Sequence, residues 1–203
     1  MLFRSRVDQI SRLAQIMDRP PLLVSPYDAE LFGHWWHEGP EFLDYFVRKA
    51  YFDQQVFKLT TPHEYLQQNP TQQVAQPAAS SWGEEGYWKV WLNERNEWIL
   101  PHLDIAQTRM TELVRKFPNA TGLTERALKQ AARELLLAQS SDWPFILRTG
   151  TSPAYARKRV KDHLLRFIAL HEQLTTTRVD EKWLAQIEAR DNLFANIEPR
   201  HWA

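Results

Sequence analysis

The chain has no cysteine, which excludes a disulfide scaffold, a thiol nucleophile and any thiolate-bound metal. It has no excess of either charge, since 25 basic side chains balance 25 acidic ones. Dedicated nucleic-acid binders carry a concentrated positive footprint, so that class has no support here. The longest basic run, Arg157-Lys158-Arg159, is the length of an ordinary solvated helix face. Apolar runs are short as well, and none approaches the roughly 20 residues of a membrane span. From Met1 to Met17 the apolar residues are broken by Arg4, Arg6, Asp8 and Arg12, so no signal-peptide core is read there. Asp8 and Asp18 argue against a transit peptide, which leaves a cytoplasmic location, with no membrane partner, as the expectation. Glycine is scarce at six residues, and no glycine-rich phosphate loop, dinucleotide fingerprint or convincing Ser/His/Asp order is present. No cofactor is expected. What the chain has in quantity is tryptophan, nine in 203 residues, more large rings than a neutral protein of this size spends on packing alone.

Periodicity divides the chain. Val7, Ile10, Ala14 and Met17 recur at helical spacing, so residues 3–17 read as an amphipathic helix ended by Pro20-Pro21. Leu22-Leu23-Val24 is wholly apolar, as suits a strand covered on both faces of a parallel sheet. Such a strand needs parallel neighbours, and the only other convincing candidate is Gln55 to Leu59. With Phe42, Leu43, Phe46, Val47 and Ala50 on a helix between them, the pattern reads as the tail of an α/β layer. Thr61-Pro62 opens a short helix through Leu66, and residues 69–80 (NPTQQVAQPAAS) read as a linker.

Beyond the linker the pattern is all-helical. Leu103, Ala106, Met110, Leu113 and Phe117 mark one helix, stopped by Pro118. Thr124 is expected to cap the next, whose apolar face is Ala127, Leu128, Ala131, Leu135 and Ala138. Ser152-Pro153 opens a helix running to about Leu174, and Asp180 caps a last one bearing Trp183, Leu184 and Ile187.

Three segments concentrate groups that do chemistry. The first is Ser25 to Pro40, SPYDAELFGHWWHEGP, directly after the expected strand. The carboxyl ends of parallel strands are where α/β folds bind ligands. Asp28 lies at that rim, and an aromatic surround would desolvate it and favour general acid work; the alternative is that Asp28 caps a helix starting near Ala29. His34 and His37 have a spacing that a metal would accept, but no third ligand is placed, so no metal site is assigned. Trp35 and Trp36 cannot both face one core from a helix. The second segment, SSWGEEGYWKVWL from Ser80 to Leu92, gathers Trp82, Trp88 and Trp91 around Gly83 and Gly86. Flat rings interleaved with Glu84, Glu85 and Lys89 suit a sugar, whose C–H faces stack while its hydroxyls hydrogen-bond. Trp88 and Trp183 are expected in the core, and Trp82 and Trp91 as sugar platforms. The third segment, SSDWPF from Ser140, sets Asp142 beside Trp143; Asp142 either joins a sugar site or only caps the next turn.

Together these segments resemble one family. YDAELFGHWW is similar to the fourth conserved region of family-57 glycoside hydrolases. SSWGEEGYWKVWLNERNEWILPHL and SSDWPF resemble the C-terminal helical domain of that family's 1,4-α-glucan branching enzymes. The resemblance covers nearly the whole chain. It implies a mixed fold: the C-terminal end of a distorted TIM-like α/β catalytic barrel over residues 1–68, the linker 69–80, and an all-α helical domain over 81–203. It implies retaining cleavage of an α-1,4-glucan followed by transfer of the cut chain to a 6-hydroxyl. Carried over, Asp28 is the general acid/base, and Trp82, Trp91 and Asp142 bind substrate, with Trp36 a further substrate-binding position. The family's nucleophilic glutamate belongs to an earlier conserved region that no segment here matches. Retaining chemistry needs two carboxyls about 5 Å apart, and this chain supplies one. The implied partners are an α-glucan such as glycogen or amylose, and a separate N-terminal half. The reading from another class is a non-catalytic glucan-binding module.

Overall fold

A computed structural model of the chain describes residues 2–203, which divide into two compact units meeting between Gln76 and Pro77.

The first unit holds three helices, α1 (Leu2–Ile16), α2 (Gly39–Phe52) and α3 (Pro62–Gln68). Thr61 and Glu64 close a reciprocal capping box at the start of α3, the reason a seven-residue helix persists there. The strands expected at Leu22–Val24 and Gln55–Leu59 do not form, and no strand occurs among the described residues. The physical cause is pairing. A strand's N–H and C=O groups need a neighbouring strand, and these two segments do not pair with each other. Each is held otherwise. Tyr65 Oη donates to Pro20 O at 3.1 Å, and Arg19 donates to Thr71 O at 3.1 Å, which ties the chain entering Leu22 to the region of α3. Downstream, Gln54 stands in for a partner strand: its Oε1 accepts from the N–H groups of Val56 and Phe57, and its Nε2 donates to Phe57 O at 2.9 Å.

Apolar residues are plentiful in this unit but thinly covered. Among the described residues only Gly39 and Ala50 are fully buried. Tyr45, Val47, Tyr51, Phe52 and Val56 are all exposed, and a cavity of about 420 Å³ lies between α1, Leu22, Leu23, Phe46 and Tyr65. Native interiors are close-packed, so this unit lacks the second layer its own residues call for.

The second unit is all-helical: α4 (Ile99–Lys116), α5 (Gly122–Ala138), α6 (Asp142–Thr149), α7 (Pro153–Thr175) and α8 (Glu181–Arg190). Helices α5 and α7 are its central pair, with α4 and α6 laid against α7. Ala127, Ala131 and Ala138 on α5 and Ala156 on α7 are buried, and small side chains let helix axes approach closely. Met110, Leu113, Leu135, Phe167 and Leu170 fill the interior. Helix α5 starts earlier than expected. Gly122 at φ +60 turns the chain inward, so the helix begins there with Thr121 as its N-cap and Thr124 already inside the first turn. Asp180 does cap α8, accepting from Trp183 N–H at 3.0 Å, and Trp183 packs against the core.

A charged network runs through this interior. Glu134 and His163 are fully buried and meet at 2.7 Å through His163 Nδ1. Arg159 is a donor only, so His163 Nε2 accepts from it at 2.9 Å and the ring proton sits on Nδ1, donated to Glu134. Gln130 donates to the other Glu134 oxygen at 2.9 Å, and Arg166 bridges Glu134 to Asp191 Oδ2. Arg133 donates to Leu193 O and Ala195 O, binding the segment after α8 to α5. Glu134, His163 and Asp191 present ligand atoms close enough to share a cation. The Arg166 guanidinium lies within 3.4 Å of all three and supplies the positive charge itself.

Phe167→Ala in the full chain is expected to cost about 3–5 kcal/mol of helical-unit stability, read by denaturant unfolding. Tyr51→Ser, at a position 79% exposed, is expected to stay within about 0.5 kcal/mol. The uncovered apolar surface of the first unit is expected to drive concentration-dependent self-association, visible by light scattering.

Candidate functional site

In the first unit, Asp28 is exposed and accepts from Glu30 N–H at 3.1 Å, the capping contact that was the alternative to a catalytic role. The aromatic enclosure argued from sequence is not supplied by its neighbours, because the chain turns away from it. After a short helical start, Leu31–Trp35 form a single π-turn, closed by Trp36 N–H on Leu31 O at 2.8 Å. That wide turn sends the two indoles apart. Trp35 is 71% exposed and donates through Nε1 to Glu30, whereas Trp36 is half-buried, 5.6 Å from the Phe32 ring and 4.9 Å from Phe42. Gly39 is required beneath them, since a Cβ there would stand 2.8 Å from Phe32. His34 pairs with Glu30 at 3.0 Å, and among the described residues neither His34 nor His37 joins a three-ligand cluster.

In the second unit the loop preceding α4 builds an aromatic platform. Gly83 takes φ +116, a region essentially reserved for glycine, and lies so close to Val90 that a Cβ would fall 2.5 Å from Val90 Cγ2. This fold-back brings Trp82 to 5.9 Å from Trp91, ring centroid to centroid, and Trp91 Nε1 donates to Trp82 O at 2.8 Å. Trp82 also lies 6.1 Å from Phe145 on α6. Asp142 and Phe145 are three residues apart on that helix and therefore lie on the same side of it. Asp142 is exposed, with Oδ2 accepting from Ser140 Oγ at 3.1 Å. Trp82 is 65% exposed and Trp91 half-buried, so the platform presents one open ring braced by two others. Trp88 departs from expectation. The segment makes only short 3₁₀ turns at Glu84–Gly86 and Trp88–Val90, so the residue turned inward is Val90 and Trp88 remains half-exposed.

The loop is fastened to α6 by polar ties. Arg148 pairs with Glu84, and its hydrogen bond, reinforced by its charge, holds the Glu84 carboxyl below the ordinary carboxylate range. Arg95 donates to Arg148 O at 3.1 Å. Asn96, only 1% exposed, donates to Val90 O at 2.9 Å and Pro144 O at 3.2 Å. Sequence reasoning placed Trp82, Trp91 and Asp142 on one site and passed over Phe145, Asn96 and Arg148. Phe145 stood inside a motif already singled out. The polar pair had no local signal, because the partners that join loop to helix, Pro144 for Asn96 and Glu84 for Arg148, lie far along the chain.

Residues 102–202 match the family model "1,4-alpha-glucan branching enzyme, C-terminal". The 1,4-alpha-glucan branching enzyme TK1436 of Thermococcus kodakarensis is 36% identical over 87% of this chain, which spans 26% of that protein. Its crystal structure, in complex with glucose and additives, superposes with a TM-score of 0.77 over 99% of this chain and 38% of its own, at 32% identity. A GH57-type branching enzyme from Pyrococcus horikoshii gives 0.78 at 29% identity, over 99% of this chain and 38% of its own. The alpha-amylase AmyC from Thermotoga maritima gives 0.72 at 41% identity, over the whole of this chain and 37% of its own. This chain thus spans about a quarter to two fifths of these relatives.

Gly83→Ala is expected to loosen the loop by about 1–3 kcal/mol, read as faster amide exchange at Trp82–Trp91 with α5 and α7 unchanged. Because Glu84 titrates below its unfolded value, its tie to Arg148 is complete above the ordinary carboxylate range and is lost as pH falls through the lowered value. Loop exchange is therefore expected to quicken in acid, and Glu84→Gln to remove that acid dependence.

Proposed function

From the match of this chain to the C-terminal portion of GH57-type 1,4-alpha-glucan branching enzymes, we propose that it serves α-1,4-glucan branching, its second unit supplying an aromatic glucan-binding platform and its first unit one carboxylate. The observation that carries this reading is the platform of Trp82, Trp91 and Phe145 with Asp142 on the same helix face. A pyranose offers an apolar C–H face to a ring and hydroxyls to a carboxylate, and the platform has both. Trp82 is the stacking ring; Trp91 braces it; Asp142 takes hydroxyls. Trp36 is a minor substrate contact at the other unit.

Asp28 is the general acid/base. In a retaining double displacement it protonates the departing 4-oxygen while a second carboxylate attacks the anomeric carbon, and then deprotonates the incoming 6-hydroxyl. That second carboxylate comes from the part of the relatives' length that these 203 residues do not span. The likeness to AmyC favours one second reading, hydrolysis on the same substrate class, in which water replaces the 6-hydroxyl.

Affinity electrophoresis of the full chain in a glucan gel is expected to show retardation that Trp82→Ala abolishes; equal retardation of both would remove stacking at Trp82. In the enzyme completed by its nucleophile-bearing portion, amylose is expected to lose iodine colour without new reducing ends, and Asp28→Asn to stop this while glucan binding persists. New reducing ends in step with colour loss would instead establish hydrolysis. The 203 residues alone are expected to leave iodine colour unchanged.

A further inference from the structure

We propose that Asn96 is the positioning residue of the aromatic platform: one buried amide that fixes the Trp82-bearing loop and the Phe145-bearing helix in a single register. The proposal deepens the glucan reading and rests on it for its purpose, though not for its geometry.

Asn96 is almost wholly enclosed, and every polar atom of its side chain is engaged. Its Oδ1 accepts from Asn93 N–H at 2.8 Å, while Nδ2 donates to Val90 O at 2.9 Å and to Pro144 O at 3.2 Å. The partners fix the amide's orientation, because flipping it would set an oxygen against two carbonyl oxygens and an NH₂ against an N–H. The two carbonyls belong to different elements, and each adjoins a platform residue. Val90 is the residue against which Gly83 folds, and Gly83 carries Trp82. Pro144 precedes Phe145, the ring that Trp82 meets at 6.1 Å. One side chain therefore sets both sides of that ring contact.

The other ties between the loop and α6 are of a different kind. The Glu84–Arg148 pair and the Arg95 contact to Arg148 O are exposed or partly so, where water competes and each contributes little. The Asn96 side chain is enclosed, its bond to Val90 O fully and its bond to Pro144 O partly, and losing a buried donor leaves carbonyls unsatisfied. A buried amide contact is not broken by salt or by protonation of Glu84, so the ring contact outlasts the surface pair, whose opening quickens local exchange without separating the rings.

The test is Asn96→Asp in the full chain. This change keeps shape and the contact to Asn93 N–H but replaces the two-fold donor with an acceptor facing two carbonyls. Two readouts separate positioning from general support. The Trp82–Trp91 ring pair, 5.9 Å apart, should give an exciton couplet in circular dichroism, assigned by its loss in Trp82→Ala. Asn96→Asp is expected to lose that couplet while the helical signal stays at the wild-type level. In a glucan gel, the retardation of Asn96→Asp is expected to fall to that of Trp82→Ala, each variant being compared with its own mobility in a glucan-free gel. A retained couplet, or wild-type retardation of Asn96→Asp, would overturn the proposal. Should the buried carboxylate unfold the unit, Asn96→Ser, uncharged and short enough to admit a water, carries the same expectations. If the wild-type chain shows no retardation, the glucan reading falls, and the couplet alone decides whether Asn96 positions the rings.

Discussion

The close approach of α5 and α7 is the constraint on which the second unit depends. Alanines at 127, 131, 138 and 156 remove the bulk that would hold the two axes apart, and Leu135, Phe167 and Leu170 then fill the space on either side. A pair packed this tightly is rigid. Helix α6 lies against α7 and inherits that rigidity, and the tryptophan loop is fastened to α6. An exposed ring on a loop would ordinarily lose orientational freedom when a ligand bound. Here that ordering is done by the fold beforehand.

The interior of the same unit is unusual for how much charge it holds. Removing a single member of the Glu134–His163–Arg166 set would leave a buried partner unsatisfied, at about 3–5 kcal/mol. Replacing the whole set with apolar residues would be far less costly, so stability is not its distinguishing contribution. Its contacts point to placement: Arg133 and Arg166 reach the backbone of 193–195 and the carboxylate of Asp191, and so select one docking of the segment after α8.

How far this could be read from the residues alone varied with the range of the interactions. Helices α4, α7 and α8 were legible because apolar spacing, Pro118, Ser152-Pro153 and Asp180 are all local signals. The start of α5 was misplaced by three residues because Gly122, not the capping type at Thr124, turns the chain. The segments Leu22–Val24 and Gln55–Leu59 carry the composition of buried strands, yet composition states a preference and a strand needs a partner. The rings at Trp82 and Trp91 were legible from the glycines between them. Trp88 was not, because reading a helix there reverses which side faces inward. Asn96 was silent, since a buried amide acquires its meaning from carbonyls brought to it by folding.

The π-turn at Leu31–Trp35 sets the rotational phase of the chain entering α2. In an α-helix each residue advances the side-chain direction by about 100°, so the added residue sets how Phe32, inside the turn, meets Trp36 after it. Shortening this turn by one residue would change that contact with no change of side-chain chemistry. Between Asp28 and α2, then, the number of residues is constrained more tightly than their kinds. Substitutions along Leu31–Trp35 are a milder perturbation than any change in its length.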